Sequence, residues 1–171
     1  MKPITILTGP AAAGKNSVAD IYATQFSERC AVVDVDVLQR MFQTPCHKPW
    51  DDAPGLAQHR LSVRHACMLA RSFVSEGYEV LILDALWADL ARSYRGALAD
   101  YPVRVVRLLP SWEESLRRLR ARPVHISEAE ARWFYERQLA LREFDFGLDN
   151  THLPPEEVAA WLASLPGTSL V

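Results

Sequence analysis

Residues 4–17 read Ile-Thr-Ile-Leu-Thr-Gly9-Pro-Ala-Ala-Ala-Gly14-Lys15-Asn16-Ser17, an apolar run followed directly by a short loop of small residues. The β-branched residues of the run predict a buried strand over 2–8, and apolar residues recur at helical spacing over 18–26. Glycines at both ends of the loop let its backbone N–H groups converge on one point, where the helix N-terminus also attracts phosphate. Lys15 adds a positive charge, so this order of strand, loop and helix predicts a phosphate-binding loop.

The loop departs from the pattern G-x-x-x-x-G-K-[ST] at one position. Asn16 stands where the pattern has a hydroxyl, and Ser17 comes one place later. An amide oxygen and a hydroxyl are both oxygen ligands for Mg²⁺, so Asn16 and Ser17 are candidate metal ligands. The alternative is an ordinary glycine turn with a surface lysine, which the flanking strand and helix disfavour.

The composition predicts a single globular domain over 1–171, because 49% of the residues are hydrophobic and 23% are charged. No apolar run approaches the roughly 20 residues of a membrane span, and the N-terminal run is too short for a signal peptide. The formal charge of -2 argues against a broad nucleic acid surface. Cys30, Cys46 and Cys67 lack C-x-x-C spacing, which disfavours a disulfide framework or a zinc site, so we expect a cytoplasmic protein.

Strands and helices alternate along the rest of the chain. Further strands are predicted over 31–34, 78–84, 103–109 and 146–149. Helices are predicted over 56–76 and 88–98, after Ser111, after Ser127 and near 158–165, and a short helix or turn over 35–42. Near-continuous apolar strands in this alternation predict an α/β fold, with a parallel sheet covered by helices on both faces. Ligands of such folds bind beyond the carboxyl ends of the strands, so we expect the chemistry there.

Two carboxylates follow the second predicted strand, in Asp34-Val35-Asp36. Asp34 ends the strand, and Asp36 begins the segment that faces the expected cleft. A carboxylate there can accept the proton of a hydroxyl group while a phosphoryl group is transferred, so Asp36 is the candidate catalytic base. The alternative is that Asp36 is the N-cap of a short helix over 37–42, and the two roles are compatible.

Asp84 ends the third predicted strand, Val-Leu-Ile-Leu-Asp. A carboxylate at this edge, beside a phosphate loop, suits a partner for Mg²⁺ or its water ligands. Aspartates at strand ends are common, so the metal assignment depends on the loop at 9–17.

A basic segment follows the fourth predicted strand, with arginines at Arg117, Arg118, Arg120 and Arg122 before a proline. Such a segment can form a lid, over about 117–130, that neutralises the charge developing during phosphoryl transfer. Arg118 and Arg122 share a helix face at i, i+4 and are the candidate catalytic arginines. The alternative is a solvated helix face.

Taken together, these landmarks resemble the P-loop small-molecule kinases related to shikimate kinase, gluconate kinase and chloramphenicol phosphotransferase. The resemblance covers nearly the whole chain and includes the segments Ser93-Tyr-Arg95-Gly-Ala-Leu98 and Leu148-Asp-Asn-Thr151. It implies a five-stranded parallel sheet of order 2-3-1-4-5. It also implies ATP and Mg²⁺ as cofactors, and transfer of the γ-phosphoryl group to a hydroxyl of a small molecule.

The resemblance also implies roles for individual residues. The residues that it places on ATP are Gly9, Pro10, Ala11, Ala12, Ala13, Gly14, Lys15, Asn16, Ser17, Arg118 and Thr151, with Lys15 also catalytic and Thr151 near the adenine. It makes 44–64 the substrate-recognition region. The candidate acceptor contacts are Asp36, Arg40, Trp50, Arg60 and Arg95. Neither the gluconate pattern nor the chloramphenicol pocket is present, so the acceptor is not named.

Two alternative functions remain open. A kinase of nucleosides, nucleotides or nucleic acid ends would need a basic pocket, which could be built from Arg40, Lys48, Arg60 and Arg64. A nucleotide-binding module without catalysis is the other, because Asn16 alters the metal position. A GTPase is disfavoured, since no N-K-x-D guanine motif occurs. We expect a monomer or homodimer that does not bind membranes.

Overall fold

A five-stranded parallel sheet of order β2-β3-β1-β4-β5 forms the centre of the protein. The computed structural model describes residues 3–48, 50, 53–87, 89–121, 123 and 126–166. Its strands are β1 (Ile4–Thr8), β2 (Cys30–Asp34), β3 (Glu79–Asp84), β4 (Val103–Leu108) and β5 (Phe146–Leu148). The predicted α/β class and the 2-3-1-4-5 order are confirmed.

Seven helices in the described part of the chain surround this sheet. They are α1 (Lys15–Gln25), α2 (Val35–Gln39), α3 (Ala53–Ser75), α4 (Leu90–Ala97), α5 (Trp112–Arg120), α6 (Glu128–Ala140) and α7 (Pro155–Ser164). No helix among the described residues is both long and apolar enough to cross a membrane.

Alternating strand residues build two cores, one on each face of the sheet. Ile6 and Ile82 face α3 and α4, whereas Leu7 and Leu83 face α1 and α7, and all four side chains are buried. A strand that buries both faces has no polar side, which explains the continuous apolar runs in the sequence.

Helix ends follow local capping chemistry, with one exception to the prediction. Ser111 and Ser127 cap α5 and α6 as expected, and Ser127 forms a capping box with Glu130. The N-cap of α2 is Asp34, whose side chain accepts a hydrogen bond from the backbone N–H of Asp36. The alternative that Asp36 is itself the N-cap of a helix over 37–42 is wrong, because α2 begins at Val35 and Asp36 lies in its first turn.

The strand register brings three carboxyl ends together at one edge of the sheet. Thr8, the last residue of β1, pairs with Asp84, the last residue of β3. Asp34, the last residue of β2, pairs with Leu83. The residues that follow these strands therefore meet at this edge, which we call the carboxyl edge.

Candidate functional site

The loop between β1 and α1 needs glycine at its first position. A Cβ on Gly9 would lie 2.5 Å from the carbonyl oxygen of Leu108 and 2.9 Å from the Cβ of Ala13. Gly14 has a φ of 93°, which side chains rarely allow, and Ala12 accepts a φ of 61°. The two glycines thus serve different needs: close packing against β4 at Gly9 and a left-handed turn into α1 at Gly14.

Lys15 lies across the mouth of this loop. Its Nζ donates hydrogen bonds to the carbonyl oxygens of Gly9 (2.9 Å) and Pro10 (3.1 Å). These carbonyls are neutral acceptors, which a phosphate oxygen can outcompete because charge-assisted hydrogen bonds are stronger. The lysine is therefore already placed where an anion bound by the loop would meet it.

Asn16 joins the loop to the second strand. Its Nδ2 donates to Oδ2 of Asp34 (2.9 Å), and the other oxygen of Asp34 caps α2 by accepting from the N–H of Asp36 (2.9 Å). Asn16 and Ser17 are both exposed at the start of α1. The residue that departs from the motif thus connects the phosphate loop to the candidate base through a single carboxylate.

Asp36 is accessible to solvent at the carboxyl edge. Desolvation by the surrounding protein raises the pKa of Asp36 above 3.8, and the negative charges of Asp34 and Asp84 raise it further. The positive charge of Lys15 opposes this shift and only partly offsets it. The structure therefore brings Lys15, Asp36 and Asp84 within electrostatic reach of one another.

Asp84 is buried, with 4% of its surface exposed. One carboxylate oxygen accepts a hydrogen bond from the Tyr94 hydroxyl (2.9 Å), and the other lies 3.4 Å from Nε2 of His59. Burial and the charge of Asp84 together raise the pKa of the fully buried Tyr94 hydroxyl, which therefore stays a donor. Tyr94 and His59 fix the orientation of this carboxylate.

His59 is a site residue that the sequence did not reveal. Burial alone would lower its pKa, but the negative charge of Asp84, whose carboxylate lies 3.4 Å from Nε2, and that of Asp36 outweigh burial and raise the pKa above 6.5. Its ring stacks on Trp87, with ring centroids 4.7 Å apart. An isolated histidine in a helix gives no sequence signal of a strand-end partner.

Arg118 and Thr151, the candidate contacts of the adenine end of ATP, lie together, and their loop is bound to the phosphate loop through Asn150. The Arg118 guanidinium donates to the carbonyl oxygens of Asn150 (2.9 Å) and Thr151 (3.2 Å) and to Glu114 (2.6 Å). Asn150, only 2% exposed, donates from Nδ2 to the carbonyl oxygen of Ala13 (2.8 Å). Asn150 was missed in the sequence, because only the fold brings the loop after β5 to the loop after β1.

The other arginines of the basic segment form surface ion pairs. Arg117 binds Glu114, and Arg120 binds Glu128. Hydrogen bonds from Arg117 and Arg118 hold the pKa of Glu114 at about 2. The second candidate catalytic arginine, Arg122, lies outside the described residues, so its role stays a prediction.

Besides Asp36, three of the candidate acceptor residues lie at or beside the carboxyl edge. Trp50 donates from Nε1 to Glu130 (3.0 Å), and Arg60 forms an ion pair with Asp89 (3.2 Å). Arg40 is exposed at the end of α2, and its charge acts on Asp36. These three lie on elements that meet the carboxyl edge or flank it.

Arg95 is not brought to this edge. It stands in the last turn of α4 and donates to the carbonyl oxygen of Val103 (3.3 Å), at the start of β4, and to Asp145 (2.7 Å). A helix that connects parallel strands returns to the amino edge of the sheet, so its last turn lies away from the carboxyl edge. The position of Arg95 does not support a contact with the acceptor.

The donor set at the carboxyl edge fits a magnesium ion bound together with phosphates. Asn16, Ser17 and Asp84 offer amide, hydroxyl and carboxylate oxygens, the ligand types that a hard cation prefers. Asn16 and Ser17 are exposed, whereas Asp84 is buried and already bound by Tyr94. Asp84 is thus better suited to orient a water ligand of Mg²⁺ than to bind the ion directly.

Comparison with known protein families identifies the family to which the chain belongs. A family model described as an AAA domain matches residues 4–144, well over half of the chain, so the chain belongs to the AAA domain family. No curated protein sequence matches the chain significantly.

Solved structures of kinases share the fold. A sugar kinase from Janibacter sp. HTCC2649 is 19% identical, with 95% of this chain and 92% of that one covered and a TM-score of 0.65. Shikimate kinase from Bacteroides thetaiotaomicron is 16% identical, with 95% and 97% covered and a TM-score of 0.67. The Mycobacterium tuberculosis APS kinase, solved with AMPPNP and APS, is 18% identical, with 94% and 95% covered and a TM-score of 0.65. The resemblance to P-loop small-molecule kinases is confirmed in its fold.

Proposed function

We propose that this AAA domain protein is an ATP-dependent phosphotransferase that moves the γ-phosphoryl group of ATP to a hydroxyl group of a small molecule. The observation that supports it best is the meeting, at the carboxyl edge, of the phosphate loop after β1, the Asp34–Asp36 segment after β2 and Asp84 at the end of β3. A cation for phosphate, a candidate base and a carboxylate suited to a metal site therefore share one edge, next to a loop built for phosphate.

In this proposal the loop at 9–17 binds the phosphates of ATP through its backbone N–H groups, and Ser17 binds the α-phosphate. Lys15 exchanges the carbonyls of Gly9 and Pro10 for the outer phosphate oxygens. Arg118 and Thr151 lie at the adenine end, where Asn150 ties their loop to the phosphate loop. Asp84 would orient a water ligand of Mg²⁺, Asn16 is a candidate direct ligand at the start of α1, and the ion would neutralise phosphate charge.

Asp36 accepts the proton of the acceptor hydroxyl as the oxygen attacks the γ-phosphorus. The new O–P bond forms while the bond to the bridging oxygen of ADP breaks, so ADP leaves with that electron pair. A raised pKa makes Asp36 a stronger base than an ordinary aspartate. Asp34 holds the backbone of Asp36 in place by accepting its N–H at the start of α2.

The basic side chains around the acceptor region favour an uncharged acceptor. Lys48 binds Glu130 (2.8 Å) and Arg60 binds Asp89 (3.2 Å), so two of the four cations that could receive a phosphate-bearing acceptor are already neutralised. A nucleotide acceptor would depend on Arg40 and Arg64. We therefore favour a neutral hydroxyl compound over a nucleotide or a nucleic acid end.

A panel of acceptors tests the proposal. The purified protein is incubated with ATP, Mg²⁺ and sugars, other hydroxyl metabolites, nucleosides or 5′-hydroxyl oligonucleotides, and products are identified by mass spectrometry. We expect one class of neutral hydroxyl compound to gain a phosphoryl group. Asp20→Asn, at an exposed position of α1, should behave as wild type and controls for Asp36→Asn. Tight ATP binding without transfer to any acceptor would support the non-catalytic module instead.

A further inference from the structure

The segment at 44–50, of which 44–48 and 50 are described, connects α2 to α3 and is here called the acceptor loop. Glutamines of both helices bind its backbone. Gln58 accepts from the N–H of His47 (2.9 Å) and donates to the carbonyl oxygen of Pro45 (2.8 Å). Gln39 donates to the carbonyl oxygen of His47 (3.4 Å). One side of the acceptor loop is therefore held by the two helices that flank it in the sequence, α2 and α3.

The other side of the acceptor loop is attached to a distant helix by one carboxylate. Oε1 of Glu130, in the first turn of α6, accepts from Nζ of Lys48 (2.8 Å) and from Nε1 of Trp50 (3.0 Å). The Trp50 ring also packs edge-on against Phe134, with centroids 5.0 Å apart, one turn further along α6. Lys48, Trp50 and α6 thus form a single contact.

Glu130 is itself held firmly, which suits it to position other groups. Its Oε2 accepts from the N–H of Ser127 (2.6 Å), and the Ser127 hydroxyl accepts from the N–H of Glu130 (3.2 Å). Hydrogen bonds from Lys48 and Ser127 hold the pKa of Glu130 at about 2, so the carboxylate is ionised at neutral pH.

The same turn of α6 also reaches the phosphate loop. Ala131, next to Glu130, packs in a buried cluster with Ala12 of that loop and Leu119 of α5. Two adjacent residues of one helix therefore contact the two loops that would hold ATP and the acceptor. Because a helix turn is stiff, it can hold the two loops in a fixed relation to each other.

We propose that Glu130 is a positioning residue that fixes the acceptor loop against the first turn of α6, in register with the phosphate loop. It sets the place of Trp50 before an acceptor binds, and so lowers the entropic cost of binding. This inference rests on the proposed function in one respect, namely that the acceptor contacts this loop.

Glu130→Gln tests the inference with Glu128→Gln as its matched control. Glutamine can still complete the capping box, so the helix start is preserved while the charge is lost. Glu128 lies in the same turn but binds Arg120 instead of the acceptor loop. Both variants therefore lose one negative charge near the start of α6, and only one loses the contact with Lys48.

Hydrogen exchange of 44–50, measured without substrates, should be roughly threefold to tenfold faster in Glu130→Gln, as expected when a charge-assisted hydrogen bond weakens. It should be unchanged in Glu128→Gln. The KM for the acceptor should rise by a similar factor in Glu130→Gln, with the Kd for ATP unchanged. Equal exchange in both variants would overturn the inference, and so would faster exchange with an unchanged KM.

The proposed function and the positioning role of Glu130 can be refuted independently of each other. If the wild-type protein transfers no phosphoryl group, the proposed function is wrong, and the exchange experiment still decides whether Glu130 fixes the loop. Lys48→Met adds a second check on the mechanism. In the double variant, the effects of Lys48→Met and Glu130→Gln on the exchange rate should be less than additive, because both changes remove the same contact. Fully additive effects would contradict a shared contact.

Discussion

The phosphate loop and the acceptor loop both contact the first turn of α6, but they are built from different kinds of group. The phosphate loop is shaped by its own backbone, through the close packing of Gly9 and the left-handed turn at Gly14. The acceptor loop is held by side chains from three helices: Gln39, Gln58 and Glu130. A backbone site requires a fixed local spacing, whereas a site built from side chains is assembled only by the fold.

Replacement of Asp36 by asparagine should have the largest effect on catalysis. Loss of a general base typically lowers kcat by a factor on the order of 100 to 10,000, and an amide cannot accept the proton. The Kd for ATP should stay near the wild-type value, since the proposed function assigns Asp36 to the acceptor and not to the phosphates of ATP. Steady-state kinetics and calorimetry measure the two quantities, and a fully active variant would exclude Asp36 as the base.

Lysines on the two loops offer a direct test of the contrast between them. Lys15→Ala should weaken ATP binding by roughly 100-fold, because charge-assisted contacts to phosphate are lost. Lys48→Ala should leave ATP binding unchanged and raise the KM for the acceptor, since Lys48 binds Glu130. Isothermal titration calorimetry with ATP separates the two variants. Equal loss of ATP affinity in both would remove the distinction between the loops.

Glycine replacements test whether the phosphate loop depends on its backbone. Gly9→Ala should lower the free energy of unfolding by about 1–3 kcal/mol, since its Cβ would meet the Leu108 carbonyl at 2.5 Å. Gly96→Ala is the control, because nothing lies within 4 Å of the added Cβ and alanine favours a helix by up to about 1 kcal/mol. Urea denaturation measures both. A Gly9→Ala variant as stable as wild type would contradict the close packing.

The pH dependence should report the environment of Asp36. Only the ionised carboxylate accepts a proton, so activity is lost as the pH falls through its pKa. Desolvation, Asp34 and Asp84 raise that pKa above 3.8, and the acidic limb of the kcat/KM profile should therefore lie at a higher pH than for an ordinary aspartate. A limb at 3.8 or below would show that Lys15 dominates the site.

Asn16→Ser should have the smallest effect. It removes the hydrogen bond from the amide to Asp34 and should cost at most about 1 kcal/mol, because the pair is exposed. The requirement for Mg²⁺ should change little if the phosphates and water hold the ion. A large change in the Mg²⁺ concentration needed for half-maximal activity would identify Asn16 as a direct ligand.

The same contrast explains how far the sequence predicts the structure. Apolar runs, glycine spacing and capping residues are local, so the strands, the phosphate loop and the starts of α5 and α6 were predicted. Asn150 and Ala13 are 137 positions apart, and Lys48 and Glu130 are 82 apart. No local pattern relates such residues, and the roles of Asn150, His59 and Glu130 emerged only from the fold.

Arg95 is a case in which a local sequence pattern pointed to the wrong edge of the sheet. A basic residue in a segment that resembles the kinase family was taken as a candidate for acceptor contact, but the segment alone does not say at which edge of the sheet its last turn lies. In the structure α4 carries Arg95 to the amino edge, where it binds Asp145. The direction of a connecting helix must therefore be considered before a helical residue is assigned to a site.

Phosphorus NMR of ATP, Mg²⁺ and an acceptor from the panel, with wild type and with Asp36→Asn, decides whether the protein is a phosphotransferase. The wild-type protein should form one phosphate monoester for each ADP, and the variant should bind ATP but form neither product at a comparable rate. Release of ADP with inorganic phosphate alone, or no turnover with any acceptor, would contradict the proposed function.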